Sequence, residues 1–288
     1  MRQGLLNLLP PVTVTALLLF WGNAPAALID NRATLVIVIV TVVLFVQLLE
    51  LRFERHEGWR INWRELATDV FYVVLGFTAI SWMTDTFAEG PLRNAKETLG
   101  LTSPWLKSLP FLVQTFMVMA LFEFGQYWMH RLMHNNALFW STHAPHHHVT
   151  QLNAMKGFIG NPIELFLIVL PAIFVDLLFG VGAAAYGAVL LTLVQTAVVH
   201  SNLRLNSSVI GWLFTTNAWH IRHHSANLAE SNTNYGCAAI AWDRVFGTFG
   251  DSAVVEAGVG PREPTTLEKL LMPLREPEGS VIAPTARP

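Results

Sequence analysis

The sequence predicts an integral membrane protein built from apolar helices. Three observations predict it: a shortage of charge, uncharged runs long enough to cross a bilayer, and polar segments unusually rich in histidine. Of 288 residues, 18 are basic and 20 acidic, so charged side chains make up 13% of the chain against 52% hydrophobic. A soluble chain of this length would carry about 25%, or roughly 70, charged residues to cover its surface. The formal net charge is −2 and the basic residues are scattered, which excludes a nucleic-acid binder or a polybasic peripheral protein. One cysteine, Cys237, excludes an intramolecular disulfide framework and every multi-cysteine metal motif. A metal on this chain must be held by His, Asp or Glu.

The clearest span is residues 33–49, which carry no charge between Arg32 and Glu50. Their Val and Ile content would also suit a buried strand, but the length decides for a helix. Residues 5–20 are apolar but broken by Pro10-Pro11, and Ala24-Pro25-Ala26 resembles a signal-peptidase site. This segment is read as a retained first span, with a cleaved signal as the alternative. Residues 70–84, between Asp69 and Asp85, and residues 109–129, interrupted only by Glu123, are further candidates. From 165 to 203 the only charged or imidazole-bearing residues are Asp176 and His200, with Gly180-Val181-Gly182 near the middle. That pattern predicts a hairpin of two short apolar helices, either spanning or re-entrant.

Orientation follows from Arg52, Arg55, Arg60 and Arg64, which crowd the loop after the second span and place it in the cytoplasm by the positive-inside rule. Counting onward, residues 90–108 form an external loop, 130–161 are cytoplasmic, and the hairpin returns everything after Ser201 to the cytoplasm, including Arg287. The organisation read from this is 1–122 as N-terminal membrane helices, 123–250 as the chemistry-bearing region including the hairpin, and 251–288 as a tail. The tail holds six of the fifteen prolines. It is expected to be extended, with a docking turn of helix at 267–274 and a disordered last dozen residues.

Ten of the eleven histidines lie between His130 and His224. His130 and His134 are four apart at the end of an apolar helix, hence on one face and one turn apart. His143 is followed by His146 and His147, three and four positions on. His220, followed by His223 and His224, repeats that triplet. A pair and two copies of one triplet on the same side of a membrane point to metal ligation. Eight imidazoles exceed what one ion takes, so the pattern predicts two. Imidazole suits Fe, Zn, Cu and Ni alike, and the spacing does not name the metal. Two metals at a membrane surface with almost no carboxylate nearby suit redox chemistry on a lipid better than hydrolysis, with zinc-bound hydroxide as the competing chemistry.

His200, at the end of the second hairpin arm, is a ninth candidate ligand. His148 is read as lying beside the ligand set or facing solvent, and His56 as a solvated loop residue. Metal-bound imidazoles need a partner for their second nitrogen. Glu123, two turns before His130 on the same helix face, is the first candidate; Asp243 and Glu164 are weaker ones. Two other readings stay open: a zinc-dependent lipid headgroup hydrolase, and a non-enzymatic metal-transport or metal-sensing membrane protein. A transporter would place its ligands near the midplane of the spans.

Taken together, Tyr127-Trp128-Met129-His130-Arg131 with His134, Trp140 with His143 to His147, His200-Ser201-Asn202, His220 to Ser225, Asn234-Tyr235-Gly236 and Trp242 to Phe249 resemble the fatty acid hydroxylase and sterol desaturase superfamily of membrane di-iron oxygenases. The resemblance covers roughly residues 123–250. It implies an all-α integral membrane protein with several transmembrane helices and a helical cytoplasmic cap carrying a histidine-ligated dimetal site. Position by position it implies ligand and catalytic roles for His130, His134, His143, His146, His147, His220, His223 and His224, and a ligand role for His200. It further implies two iron ions, with zinc possible in the isolated protein. O2 and electrons from a separate reductase or a cytochrome- or ferredoxin-type donor would serve to hydroxylate or desaturate a membrane lipid in lipid or sterol biosynthesis. The expected location is a bacterial inner membrane or its equivalent. No flavin, haem, iron–sulfur or dinucleotide motif is legible. One departure stands out: where many bacterial relatives look like Arg-x-His-Pro-x-Glu, this chain has Ile159 and Asn161 in the Arg and His positions. Asn161 is therefore a candidate to hydrogen-bond a metal-bound water, and substrate class is the property this departure touches.

Overall fold

The computed structural model describes residues 5–29, 31–59, 62–101, 104–180, 182–205, 210–254 and 256–275. Among these it is helical, with two isolated bridges and no strands. Helix α1 is Leu9–Asn23, α2 Arg32–Glu50, α3 Trp63–Leu99, α4 Phe111–Asn135, α5 Ala137–His147, α6 Pro162–Phe179, α7 Ala183–His200, α8 Asn217–His223, α9 Ala241–Phe246 and α10 Thr266–Leu271. Three of them, α2, α3 and α6, are long and apolar enough to cross a membrane, while α1 and the α7 segment Ala184–His200 are shorter apolar helices.

Pro10 and Pro11 do not break α1. They sit in its first turn, where a missing N–H costs nothing and a fixed φ suits the helix. Residues 70–84 prove to be the middle of a longer helix, α3, with π-helical turns at Gly76–Ile80 and Asp85–Glu89. The charges expected to end that span are paired instead. Asp85 meets Arg32 at the start of α2, at 2.6 Å, and Asp69 meets Lys156 at 3.0 Å. The external loop expected at 90–108 is mostly helix for the same reason, since α3 runs on to Leu99. Residues 109–129 become α4, which continues to Asn135 and is not among the three long apolar helices.

The hairpin is present. The chain turns between α6 and α7 at Gly180 and Gly182, both with positive φ (55° and 56°), a backbone region glycine enters without strain; Val181 lies outside the described residues. Helix α4 packs between its two arms. At Gly125 of α4 a Cβ would stand 2.6 Å from Pro171 of α6, so the glycine permits this approach. Beside the proline, Gln126 Nε2 donates to the Ile168 carbonyl at 2.9 Å. The core is formed by α1, α2, α4 and α7, through Trp21, Ile39, Val43, Phe122, Leu191 and Val198 among others. The opposite faces of α2, α3 and α6 expose Ile37, Leu48, Val74, Trp82 and Phe174, as lipid-facing helices do.

The hairpin also brings both histidine regions to one end of the bundle. There the C-termini of α2, α4 and α7 meet the N-termini of α3 and α6. Glu50, ending α2, accepts from the backbone N–H of Ala154 (3.0 Å) and Asn202 (2.8 Å). Arg55 N donates to the Asn202 carbonyl at 2.7 Å, so the arginine-bearing loop lies on the same end; Arg60 lies outside the described residues. His56 is half-buried, stacked on Trp59 at 4.2 Å, with its N–H donating to Asn202 Oδ1, and is not a solvated loop residue. The tail returns to this end. Its expected docking helix is α10, opened by a Thr265/Glu268 capping box and anchored by buried Lys269 and Met272. The dozen terminal residues expected to be disordered, with Arg287, lie outside the described residues.

Lys156 and Asp69 are both wholly buried. Removing one partner of such a pair leaves an uncompensated charge. Asp69→Ala is expected to cost about 3–5 kcal/mol, read as a lower thermal unfolding midpoint in detergent. Asp69→Asn combined with Lys156→Met is expected to recover most of the loss. An unchanged midpoint in Asp69→Ala would show that the pair contributes nothing.

Candidate metal centre

Helix α4 supplies His130 and His134, α5 supplies His143, His146 and His147, α7 ends on His200, and α8 supplies His220 and His223, with His224 as its C-cap. On a helix, residues four apart nearly eclipse, whereas neighbours diverge by about 100°. Each triplet therefore splits. His143 and His147 join His130, His134 and His223 in one group, and His146 joins His200, His220 and His224 in a second, with ligand-capable atoms inside each group within 4.8 Å of one another. All nine rings are buried, none more than 6% exposed. The groups adjoin: His147 stacks on His224 with ring centres 4.6 Å apart. His148 is buried but outside both groups, its Nδ1 donating to the Ala144 carbonyl at 2.7 Å.

The outward nitrogens show which atoms could bind an ion. His130 Nδ1 donates to the Tyr235 carbonyl (2.6 Å), His223 Nδ1 to Thr233 (2.7 Å), His146 Nδ1 to Ile159 (2.8 Å) and His200 Nδ1 to Thr196 (2.8 Å). A carbonyl only accepts, so each of these rings carries its proton on Nδ1 and a lone pair on Nε2. His134 Nδ1 donates to Asn232 Oδ1 at 3.1 Å, and His147 Nδ1 lies 3.4 Å from Ser231 Oγ. Inside, His130 Nε2 comes within 2.9 Å of His143 Nε2 and 3.0 Å of His223 Nε2, and His220 Nε2 within 2.8 Å of His200 Nε2. Between His130 and His223, whose Nδ1 protons both lie on carbonyls, the facing Nε2 lone pairs repel unless a cation lies between them. The nitrogens of His224 and Nδ1 of His220 are buried without a hydrogen-bond partner. Burial first, then the neighbouring imidazoles, holds His143, His147, His220, His223 and His224 well below the ordinary histidine range. They are neutral at physiological pH, the form that coordinates metal. The donor set fits two cations.

The carboxylates are placed differently from the sequence reading. Glu123 bonds no imidazole; it accepts from Ala238 N (2.8 Å), Ala239 N (3.0 Å) and Thr192 Oγ1 (3.0 Å). Asp243 accepts from Tyr235 N, Gly236 N and Thr248 Oγ1 at 2.6–2.8 Å. Burial pushes its carboxyl up to about 6 against those hydrogen bonds. Both hold the backbone of 235–239, and through the Tyr235 carbonyl they hold His130. Glu164 is the carboxylate that touches a ring, with Oε1 3.3 Å from His143 Nδ1. Gly160 makes room for it, since a Cβ there would overlap the Glu164 carboxylate.

Asn161 is fully engaged elsewhere. Its Oδ1 caps α6 through Ile163 N, and its Nδ2 donates to the Leu270 carbonyl at 2.9 Å, tying α10 to the site. Ile159 is buried and presents its carbonyl to His146. The tail, set apart in the sequence reading, also reaches the histidines: Gly258 N donates to the His224 carbonyl and Val259 N to the His147 carbonyl, each at 2.9 Å. Sequence reasoning missed the segment 231–235 as a unit. Through Ser231, Asn232, Thr233 and Tyr235 it backs four of the five rings of the first group. Its signal was the left-handed turn at Asn234 (φ 58°), which aims the flanking carbonyls inward. The Asn234 side chain holds that turn through Trp219 O, Gly250 O and Gly250 N.

Residues 115–248 match the family model described as Fatty acid hydroxylase. That stretch, a little under half of the chain, is similar to the fatty acid hydroxylase family. Every candidate ligand lies within its bounds. Among curated proteins, the ornithine lipid hydroxylase OlsE of Rhizobium tropici is 29% identical over 229 residues, 74% of this chain and 66% of that protein. An alkylglycerol monooxygenase of Xenopus tropicalis is 27% identical over 51% of this chain and 31% of its own length. A Delta(7)-sterol 5(6)-desaturase of Aspergillus fumigatus is 30% identical over 49% and 41%. The chain thus spans less than two thirds of each of these relatives. No solved structure matches it.

Partners of metal-bound imidazoles typically carry 10–100-fold in metal affinity. Glu164→Ala is expected to weaken metal retention by roughly that factor, read as the metal-to-protein ratio by plasma mass spectrometry after dialysis against a chelator, with helical content unchanged. Equal retention in variant and parent would remove Glu164 from the site.

Proposed function

We propose that this protein is a membrane oxidoreductase that hydroxylates, or desaturates, a lipid C–H bond with O2 and electrons from a separate donor protein. In this reading two iron ions are held by His130, His134, His143, His147 and His223 on one side and by His146, His200, His220 and His224 on the other. The observation that carries it is two contiguous, buried groups built from imidazole alone, with the Nε2 lone pairs of His130 and His223 turned toward each other. The relatives add direction: the hydroxylase, the monooxygenase and the desaturase are named for oxidative chemistry on lipids. A transporter would hold its ions at mid-span, whereas here the rings gather at one end of the bundle, which favours the enzyme.

Two bound irons would supply O2 activation and the one-electron chemistry that an unactivated C–H bond demands. The chain's own part is orientation and exclusion. Nδ1 protons of His130, His146, His200 and His223 stay on backbone carbonyls, which fixes tautomer and ring angle together. Burial of all nine rings keeps bulk water from the reaction. For hydroxylation the balance is one C–H and one O2 with two electrons and two protons, giving one alcohol and one water. For desaturation two hydrogens leave and both oxygens end as water. The electrons enter from a reductase or a cytochrome- or ferredoxin-type donor. The site end also carries Arg52, Arg55 and Arg64, so the positive-inside rule favours a cytoplasmic site in a bacterial inner membrane or its equivalent.

The test is comparative lipidomics of a host with and without the gene under 18O2. A lipid that gains one labelled oxygen, or loses two hydrogens only when O2 is present, is expected. His220→Ala is expected to abolish that product and lower bound metal while the protein stays in the membrane. Product formed without O2, or retained by His220→Ala, would overturn the reading.

A further inference from the structure

The ring of Tyr235 lies against three imidazoles of the first group, with centres 5.2 Å from His134, 5.9 Å from His223 and 6.0 Å from His130. A second tyrosine follows it. Tyr127 of α4 meets Tyr235 edge-on at 6.1 Å and Trp128 at 5.4 Å. Tyr127 is wholly buried and Trp128 is 43% exposed, so a file of oxidisable rings leads from the histidines to the surface. Trp140 is as near, 5.2 Å from His134, but it is buried among Ala144, Val259 and Met272.

The two phenols differ in where their protons can go. The Tyr235 hydroxyl donates to the Asn232 carbonyl at 3.0 Å, and a peptide carbonyl does not keep a proton. The Tyr127 oxygen accepts from Arg131 Nη1 at 3.1 Å and lies 2.9 Å from Thr248 Oγ1, whose own proton goes to Asp243 Oδ1 at 2.6 Å. A hydroxyl has one proton to give. That of Thr248 is committed to the carboxylate, so the proton between Tyr127 and Thr248 belongs to the phenol. Phenol, hydroxyl and carboxylate thus donate in one direction. The sequence builds this locally. Helix α9 carries Asp243 and ends at Gly247 (φ 72°), and the turn brings Thr248 N to the Asp243 carbonyl at 2.8 Å, which sets the hydroxyl beside the carboxylate of the same residue. Loss of an electron makes a phenol a strong acid, so an oxidised tyrosine persists only where a base takes its proton. Trp128 is the poorer resting place, because the Arg131 guanidinium lies 5.3 Å over its ring and opposes a second positive charge there.

We propose that Tyr127 is a redox relay that drains an oxidising equivalent from the metal centre when no lipid C–H bond is in reach. In this use the inference rests on the lipid-oxidising reading, which supplies the oxidant: a centre that has reduced O2 and met no substrate. One electron passes from Tyr127 through the Tyr235 ring to the centre. The Tyr127 proton moves to Thr248 Oγ1 as the Thr248 proton moves to Asp243, leaving a neutral phenoxyl and a carboxylic acid. One electron from the external donor protein, entering at Trp128, and the proton returned from Asp243 restore the phenol. The imidazoles nearest the oxidant are thereby spared.

The test uses the full chain in detergent, loaded with zinc, which has no redox chemistry of its own. A flash-quenched ruthenium tris-bipyridine oxidises it from the surface, and the frozen sample is read by electron paramagnetic resonance. All samples carry Tyr186→Phe, since Tyr186 is 41% exposed and open to direct oxidation. A neutral tyrosyl radical is expected in this parent and its loss in Tyr127→Phe, with zinc content unchanged. Thr248→Val is expected to leave a tryptophan radical instead, and Thr248→Ser to restore the tyrosyl signal, a pattern that a merely structural hydroxyl would not give. A parent without a tyrosyl signal, or a signal that survives Tyr127→Phe or ignores Thr248→Val, would overturn the relay. In a second measurement the iron-loaded chain is cycled with reductant and O2 without lipid, and oxidised histidine in the peptide carrying His130 and His134 is read by mass spectrometry. Several-fold more is expected in Tyr127→Phe, and an equal amount would overturn the protective use. The zinc measurement needs neither O2 nor lipid, so its failure would leave an 18O-labelled product standing, and absence of that product would leave the tyrosyl assignment standing.

Discussion

The hydrogen bond from an imidazole Nδ1 to a backbone carbonyl is the interaction on which this molecule turns. It fixes the tautomer, the ring plane and the direction of the Nε2 lone pair in one contact. Four rings are set this way, by carbonyls of Tyr235, Thr233, Ile159 and Thr196. A carbonyl can orient a ring only as well as its own peptide is held. Much of the polar structure around the site does that holding. Asp243 grips Tyr235 N and Gly236 N, Glu123 grips Ala238 N and Ala239 N, and Asn234 locks a left-handed turn between the two carbonyls that face the first group. The Ile159 carbonyl is placed in turn by the 156–158 turn, whose Lys156 is pinned to Asp69 of α3.

The two groups are not equally constrained. Every ring of the first has an outward contact, through segment 231–235 or Glu164. In the second, His146 and His200 are fixed by carbonyls, but His220 Nδ1 and both nitrogens of His224 lack a protein partner. His200 takes its acceptor from its own helix, one turn back, and so depends on α7 rather than on a loop. The first group is thus backed largely by the compact segment after α8, whereas in the second His146 is held by the loop carbonyl of Ile159 and His200 by its own helix.

What was legible in the sequence was what helix geometry makes periodic. The spacing of His130 and His134, and of the two triplets, identified residues that meet in space, because a helix converts an interval of four into one face. The hairpin was legible from its glycines. What periodicity does not encode was read less well. Glu123 and Asp243 were noticed as carboxylates near the cluster, but a carboxylate gripping backbone N–H groups looks the same in sequence as one gripping an imidazole. The length of α3 was underread because Asp69 and Asp85 look like helix boundaries until their partners, Lys156 and Arg32, arrive from distant positions. The role of 256–259 against the histidine helices was invisible for a related reason: its bonds run through main chain, and the one sequence cue is Gly258, held at φ 95° where a Cβ would meet the Val149 carbonyl.

The scarcity of charge acquires a physical meaning from this arrangement. A buried charge costs several kcal/mol to desolvate and persists where partners surround it. Here the buried acids and lysines, Glu164 beside His143 excepted, stay off the ligand rings; they tie separate stretches of chain together. Glu50 joins α2 to residues 154 and 202, Asp69 joins α3 to Lys156, Glu123 joins α4 to α7 and to the 238–239 backbone, and Lys269 joins α10 to Glu263. Each bond spans a junction that a fluid apolar contact would leave free to slide, since dispersion is non-directional and a hydrogen-bonded carboxylate is not. A chain poor in charge has thus placed most of its buried acids where they join separate stretches of chain, and, apart from Glu164 beside His143, left the centre itself to imidazoles that can be buried without a counter-ion.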